Sequence, residues 1–147
     1  RIQSMAGAHE LLADSQWSGV ALRKAVEIIL NPWVAGQEIA IEGVDVQLSA
    51  EHAMPVCMLL NELATNAVKH GALSVLTGTL RVEWVLQSGD LSMIWTEAGG
   101  PAIAGEPTST GSGLELIHGF VEHQLAGSLT MNWLPRGLQA SMRFKAV

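Results

Sequence analysis

A two-layer α/β sandwich of the α+β class is the fold that the 147-residue sequence predicts, with a mixed, mostly antiparallel sheet and helices on one face. Three observations point to it. Segments of period-two alternation come as neighbours joined by short turn sequences, the linkage that antiparallel strands use. Between them lie stretches with apolar residues three and four apart, which read as helices with one buried stripe. The order of elements is two leading helices, a strand pair, a helix, two strands, a helix and two strands. That order places helices on one side of a sheet built from hairpin-type links.

Composition sets the bounds. An apolar share of 48% against 15% charged excludes a disordered chain, and the length suits one domain with a real core. A net charge of −6 and a pI near 5.2 exclude a general nucleic-acid binder, which needs a basic face. The single cysteine, Cys57, can form no internal disulfide and fits a reducing compartment. Mean hydropathy is high at +0.28. Yet the longest apolar run, Ala53 to Leu60, is about half of what a bilayer span needs. No membrane span and no leader peptide are predicted, and the expected location is the cytoplasm, with a membrane-tethered parent left open. The first residue is Arg1, so a piece of a longer protein is expected, and a face where the remainder docks would account for the hydropathy.

The elements follow in order. Ile2 to Ala13 has Met5, His9 and Leu12 at helical spacing and reads as the end of a helix. Ser18 is placed to cap a second helix through Val20, Leu22, Val26, Ile29 and Leu30, which Asn31-Pro32 ends. Gln37 to Glu42 and Val44 to Leu48 alternate as strands, and Gly43 between them predicts a tight hairpin. Ser49 starts a helix that runs to His70, with Pro55 causing a kink or a later true start and Gly71 in the left-handed position after its end. Thr79 to Gln87 and Leu91 to Glu97 are strands around Ser88-Gly89-Asp90. Ala98 to Gly113 is a long loop, Leu114 to Leu125 a helix, and Ser128 to Leu134 and Leu138 to Lys145 a last strand pair.

The third helix carries the chemistry. With Glu62 as reference, Asn66 lies about 40° round, Lys69 about 20° the other way and His70 about 80° round. A carboxylate, an amide, an ammonium and an imidazole thus share one side of the last two turns, while Leu60, Ala64, Ala67 and Val68 are left for packing. Glu and Asn one turn apart offer hard oxygen ligands to a cation such as Mg²⁺, and Lys69 could meet phosphates. Taken alone, a solvated face of an amphipathic helix is the plainer reading. Two further segments bear on it. Trp95-Thr-Glu-Ala-Gly-Gly-Pro101 ends a strand with an acid, which can accept from an exocyclic amino group, and two glycines, which allow close backbone approach. Gly111-Ser-Gly-Leu114 opens a helix and offers backbone N–H groups to an anion.

The order of these three segments resembles the ATP-binding domain of the GHKL superfamily, the Bergerat-type fold. ELATNAVKHGALS (Glu62–Ser74) and WTEAGGP (Trp95–Pro101) look like the HWE subfamily of sensor histidine kinases. Ser4–Leu22 resembles the end of that family's dimerisation and phosphoacceptor region, and Arg136–Phe144 its last strand. The resemblance implies a division into residues 1–18, the end of the dimerisation helices and a linker, and 19–147, the catalytic ATP-binding domain. It implies that Asn66, supported by Glu62, binds the Mg²⁺ bridging the ATP phosphates. Lys69 would contact a phosphate, and His70 would lie beside the nucleotide. Glu97 would take the place of the adenine-reading Asp, with Gly99 and Gly100 shaping that pocket. Ala102 to Thr110 would be the lid, and Gly111, Ser112, Gly113 and Leu114 would hold phosphates. The implied cofactors are ATP and Mg²⁺. The implied partners are the phosphoacceptor-helix region of the same or a partner subunit and a response regulator.

One departure stands out: the family's Asn-box His is Asn61 here, an amide that cannot exchange a proton near neutral pH. This keeps open an alternative, a degenerate kinase-like domain acting as a phosphotransfer or docking scaffold. A third reading, a relative that phosphorylates serine, is opposed by the Ser4–Leu22 resemblance. The phosphoacceptor His is expected on a helix that the chain lacks, with His9 a packing or capping residue. His52, His118 and His123 show no metal-site spacing. Trp17, Trp33, Trp84 and Trp133 are expected as anchors, and Trp95 either in the core or beneath the nucleotide. Cys57 is expected as an inert buried thiol, and Met5, Met54, Met58 and Met93 as core fillers.

Overall fold

The computed structural model describes residues 19–102 and 112–146, with the backbone alone for 112–114. The expected leading helix, His9, Trp17, Ser18, Gly111 and most of the proposed lid lie outside these. The described elements are β1 (Val20–Ala21), α1 (Leu22–Val34), β2 (Glu38–Gly43), β3 (Gln47–Leu48) and α2 (Ala50–His70). A 3₁₀ turn (Ala72–Ser74), β4 (Thr79–Gln87), β5 (Asp90–Ala98), α3 (Ser112–Gly119), a π turn (Phe120–Gln124), β6 (Ser128–Leu134) and β7 (Gly137–Lys145) follow.

Five strands form one sheet in the order β2-β4-β5-β7-β6; β2 and β4 are parallel and every other pair is antiparallel. This is the mixed, mostly antiparallel sheet of the predicted fold class; the turn pattern accounts for its antiparallel pairs, and the parallel β2–β4 pair replaces the hairpin expected at Gly43. One face is apolar across all strands: Leu80, Val82 and Trp84 face Glu97, Trp95 and Met93 in register, and these continue to Ala140 and Met142. The helices bury their stripes on that face, Leu22, Val26, Ile29 and Leu30 from α1 and Val56, Leu59, Leu60 and Leu63 from α2. No helix of the described residues is long and apolar enough to cross a membrane. The opposite face is polar. There Glu42 stands opposite Glu83, and Arg81 bonds both, at 2.7 and 3.2 Å. Exposed like charges in register repel, and the arginine between them offsets this.

The β4–β5 link is a two-residue hairpin with Gln87 paired to Asp90. Ser88 and Gly89 have φ of +53° and +85°, the primed turn that suits the twist of a hairpin.

Some local expectations fail and others hold. Gly43 makes no hairpin: β3 pairs with β1 in a separate two-stranded sheet, and only Gln47–Leu48 of the second predicted strand forms. Gly43 instead lies opposite Trp84, and a Cβ there would collide with the indole. The backbone beyond it is satisfied from elsewhere. Trp84 Nε1 donates to Val44 O at 2.8 Å, and Leu22 N to Val46 O at 2.9 Å. Val20 belongs to β1, so α1 starts at Leu22 with no side-chain cap, and it runs past Asn31-Pro32 to Val34. Pro32 stands in the last turn, where a missing N–H interrupts little helix. α2 starts at Ala50 and continues through Pro55; Ser49 caps it, its Oγ accepting from His52 N at 3.3 Å. The last predicted helix begins at Ser112 and ends in a π turn, closed by Leu125 N donating to Phe120 O at 2.9 Å. Trp84 and Met93 are core residues, and Trp33, Trp133 and Met58 pack against the core as anchors and fillers.

Candidate functional site

The site is built where the end of α2 meets the end of β5. α2 carries Glu62, Asn66, Lys69 and His70 on successive turns. Their exposure is graded: Glu62 is 8% exposed, Asn66 half-buried, and Lys69 and His70 exposed. A buried Glu62 does not fit a merely solvated face. Asn61, in the place of the family's His, is also buried, and its carbonyl accepts from Thr65 Oγ1 at 2.7 Å. Asn66, Lys69 and His70 take part in no side-chain hydrogen bond or ion pair among the described residues. Their polar ends are therefore not engaged within the fold described.

Glu97 is the second centre. Strand alternation puts Trp95 and Glu97 on the same inward face of β5, 0% and 3% exposed. Trp95 Nε1 donates to Glu97 Oε2 at 2.8 Å, and the Ala72 amide donates to Oε1 at 3.1 Å. Burial pushes the Glu97 carboxyl above the usual range, and these two hydrogen bonds pull it partly back. Ala72 lies two residues past the end of α2, so the bond ties the end of that helix to the sheet.

The glycines complete the junction. Gly71 is not left-handed, since its φ is −117° and its ψ −149°. A Cβ there would collide with Glu97 Oε1. Gly99 does have positive φ, +74°, and a Cβ on it would meet Thr77 O; a Cβ on Gly100 would meet Ala72 and Gly71 backbone at 2.9 Å. The glycine segment after β5 therefore lies backbone on backbone against the segment after α2. Gln37 braces the same segment, its Nε2 donating to Gly78 O at 3.0 Å and Val75 O at 3.2 Å.

Of the residues predicted for the site, the structure thus joins the Asn-box helix to Glu97, Gly99 and Gly100. Ser112, Gly113 and Leu114 form the first turn of α3, which packs on α2. Sequence reasoning missed Ala72, which acts through its main-chain N–H, and Gln37, whose side chain donates to main-chain carbonyls; neither leaves a motif. It left Trp95 undecided, although the two-residue spacing to Glu97 was a legible signal. Among the described residues no group of three or more His, Cys, Asp and Glu converges as a metal cluster.

The model of the HWE histidine kinase family matches residues 1–45. Blue-light-activated histidine kinase 1 of Erythrobacter litoralis is 31% identical over 97% of this chain and 41% of its own length. The chain is a relative of the HWE-type histidine kinases. It spans about two-fifths of the length of the first curated relatives it matches. The histidine kinase domain of the Erythrobacter litoralis EL346 blue-light-activated enzyme superposes with a TM-score of 0.74 at 17% identity, over 97% of this chain and 79% of that one. The nucleotide-free catalytic domain of histidine kinase ThkA does so with a TM-score of 0.68 at 13% identity, over 88% and 96%. At those identities the likeness speaks to the fold, and the fold is that of histidine kinase catalytic domains, the GHKL type.

Proposed function

We propose that this HWE-type chain binds Mg-ATP and passes the γ-phosphoryl to a histidine of a phosphoacceptor helix, in the same or a partner subunit, for relay to an aspartate of a response regulator. The observation that carries the reading is the junction itself. The Glu97 carboxylate is held by the Ala72 amide, two residues past the end of the Asn-box helix, which supports reading the two segments as one nucleotide site. Relatives that are histidine kinases support it.

The residues present fit the groups. Glu62 and Asn66, one turn apart, are oxygen donors of the kind Mg²⁺ takes, and the lack of a third acid is no obstacle for an ion that keeps waters and phosphate oxygens in its shell. Bound Mg²⁺ would supply charge neutralisation at the phosphates. Asn66 would provide its amide oxygen to the metal, and Glu62 would orient that shell from its buried position. Lys69 and His70, exposed in the last turn, would approach the phosphates and the nucleotide. The N-terminus of α3 would present N–H groups to phosphate oxygens. Glu97 would accept from the exocyclic amine of the base. Gly99 and Gly100 would bring backbone within reach of it. The protein's part is positioning and electrostatics; the attacking nitrogen belongs to the acceptor histidine.

Calorimetric titration of ATP with Mg²⁺ into the chain, beside Asn66→Ala, tests the site. Saturable binding lost in the variant is expected; a wild-type chain that binds no nucleotide overturns the proposal. Transfer is tested by supplying the phosphoacceptor region, with an acid-labile phosphohistidine expected. Saturable ATP binding with no transfer would favour a docking scaffold, for which Asn61 is the motivating residue.

A further inference from the structure

The two oxygens of Glu97 are not equivalent. Oε2 accepts from the indole N–H of Trp95, on its own strand, and Oε1 accepts from the Ala72 amide, beyond the end of α2. Gly71 stands against Oε1 and closes the room for the carboxylate to turn. Each carboxylate oxygen keeps a second lone pair. The group is therefore an acceptor pinned at both ends, with no donor of its own while ionised. Such an acceptor takes an N–H and leaves a carbonyl oxygen in the same place unpaired and repelled. Trp95 fills apolar space and also carries a polar atom. Trp95 stands between Val82 and Ala140 in register, and a phenyl ring would also fill apolar space there. What phenylalanine lacks is the N–H aimed at Glu97.

We propose that Trp95 is the positioning residue that sets base selectivity: its indole N–H holds Glu97 as a fixed acceptor, so that a 6-aminopurine is taken and a 6-oxopurine refused. The inference rests on the nucleotide-binding reading above. Without the N–H, Oε2 loses its donor while Oε1 stays on the Ala72 amide, and the desolvated Oε2 takes up a proton more readily, which converts it into a donor that tolerates a 6-oxo group.

The test is titration of ATP and of inosine triphosphate, each with Mg²⁺, into three forms of the chain: wild type, Trp95→Phe, and a variant carrying 3-benzothienylalanine at position 95, which replaces the N–H by sulfur in an isosteric ring. Wild type should prefer ATP, and both variants should lose about tenfold of that preference, the effect of one hydrogen bond to a charged group. Weaker binding of both nucleotides in equal measure would mean a structural role and overturns the inference. Unchanged preference in the isosteric variant overturns it while leaving the nucleotide site standing. A wild type that binds neither nucleotide overturns both. Should the variants fail to fold, the Trp95 indole ¹⁵N–¹H resonance of the wild type decides: a shift on saturation with ATP and none with inosine triphosphate is expected, and an equal response to the two overturns the proposal.

Discussion

Glu97 and Gly71 stand in contact, the carboxylate oxygen Oε1 filling the space that a side chain at residue 71 would need. A Cβ there would collide with that oxygen and come within 3.1 Å of the Ala67 Cα. The φ of −117° is open to any residue, so the glycine is demanded by its neighbour and not by its backbone. Gly71→Ala should therefore push Oε1 off the Ala72 amide and cost about 1–3 kcal/mol, the range for overpacking. Urea denaturation measures this. In the double variant with Glu97→Asp the shorter acid withdraws the oxygen, and the loss should be smaller than the sum of the single losses. Strict additivity would mean that the two residues do not compete for the space.

Glu97→Gln is expected to destabilise although it is isosteric. Both oxygens of Glu97 accept from N–H donors, Trp95 Nε1 and Ala72 N. A glutamine amide has one acceptor and one donor end. Whichever way it turns, its NH₂ meets another N–H. One buried donor is left unsatisfied, at about 1–3 kcal/mol. Thermal unfolding should show the loss, and a variant as stable as the wild type would mean that the hydrogen bonds contribute nothing net.

The same residue fixes a pH dependence. Burial raises the folded pKa of Glu97, so the native state binds its proton more tightly than the unfolded chain, whose carboxyl titrates near about 4.3. Its contribution is fully present below the unfolded value and is lost as pH rises through the raised folded value. The stability gap between wild type and Glu97→Gln should therefore widen on going from pH 7 towards pH 4, read from denaturation midpoints. A gap that narrows on acidification contradicts the assigned direction.

The five strands of the main sheet, its mostly antiparallel character and the Ser88-Gly89 turn were legible because they rest on local alternation and turn chemistry. The two glycines that were misread show where that legibility ends. Gly43 and Gly71 suggest, by type, a hairpin and a left-handed cap. Each is in fact required by a side chain distant in sequence, Trp84 and Glu97 respectively. No local pattern reveals such a contact. The same holds at the site: Glu62, Asn66 and Glu97 stand out as residue types in motifs, whereas the donor on Glu97 Oε1 is a main-chain amide placed by tertiary packing.

Arg23 ties α1 to the end of β2. Its Nη1 donates to Ile41 O at 3.1 Å and its Nη2 to Gly43 O at 3.0 Å, while the guanidinium lies 5.5 Å from the centre of the Trp84 ring. The planar fork meets two carbonyls at once, which a lysine ammonium cannot reproduce. Arg23→Lys should lower stability by about 1–2 kcal/mol despite keeping the charge. A charge-neutral Arg23→Met variant, which keeps the apolar stem, should lose no less. A lysine variant with wild-type stability would show that charge alone suffices.

Cys57 lies within α2 at 1% exposure, and burial pushes its thiol up to about 11. At pH 8 only about one thiol in a thousand is then thiolate, the reactive form. Iodoacetamide at that pH should leave the native chain unmodified over hours and alkylate it fully in urea, as intact mass would show. The linkage has a sign that can be checked. The raised value means that the native state holds the thiol proton more tightly than the unfolded chain, whose thiol titrates near about 8.5. Stability from this group is thus complete below that pH and is lost as pH rises towards 11. Cys57→Ala creates a small cavity and should be less stable at neutral pH, but its stability should fall less steeply than that of the wild type between about pH 8.5 and 11, the span between the two values. Rapid native alkylation at pH 8 would show that α2 opens locally far more often than a buried core helix does.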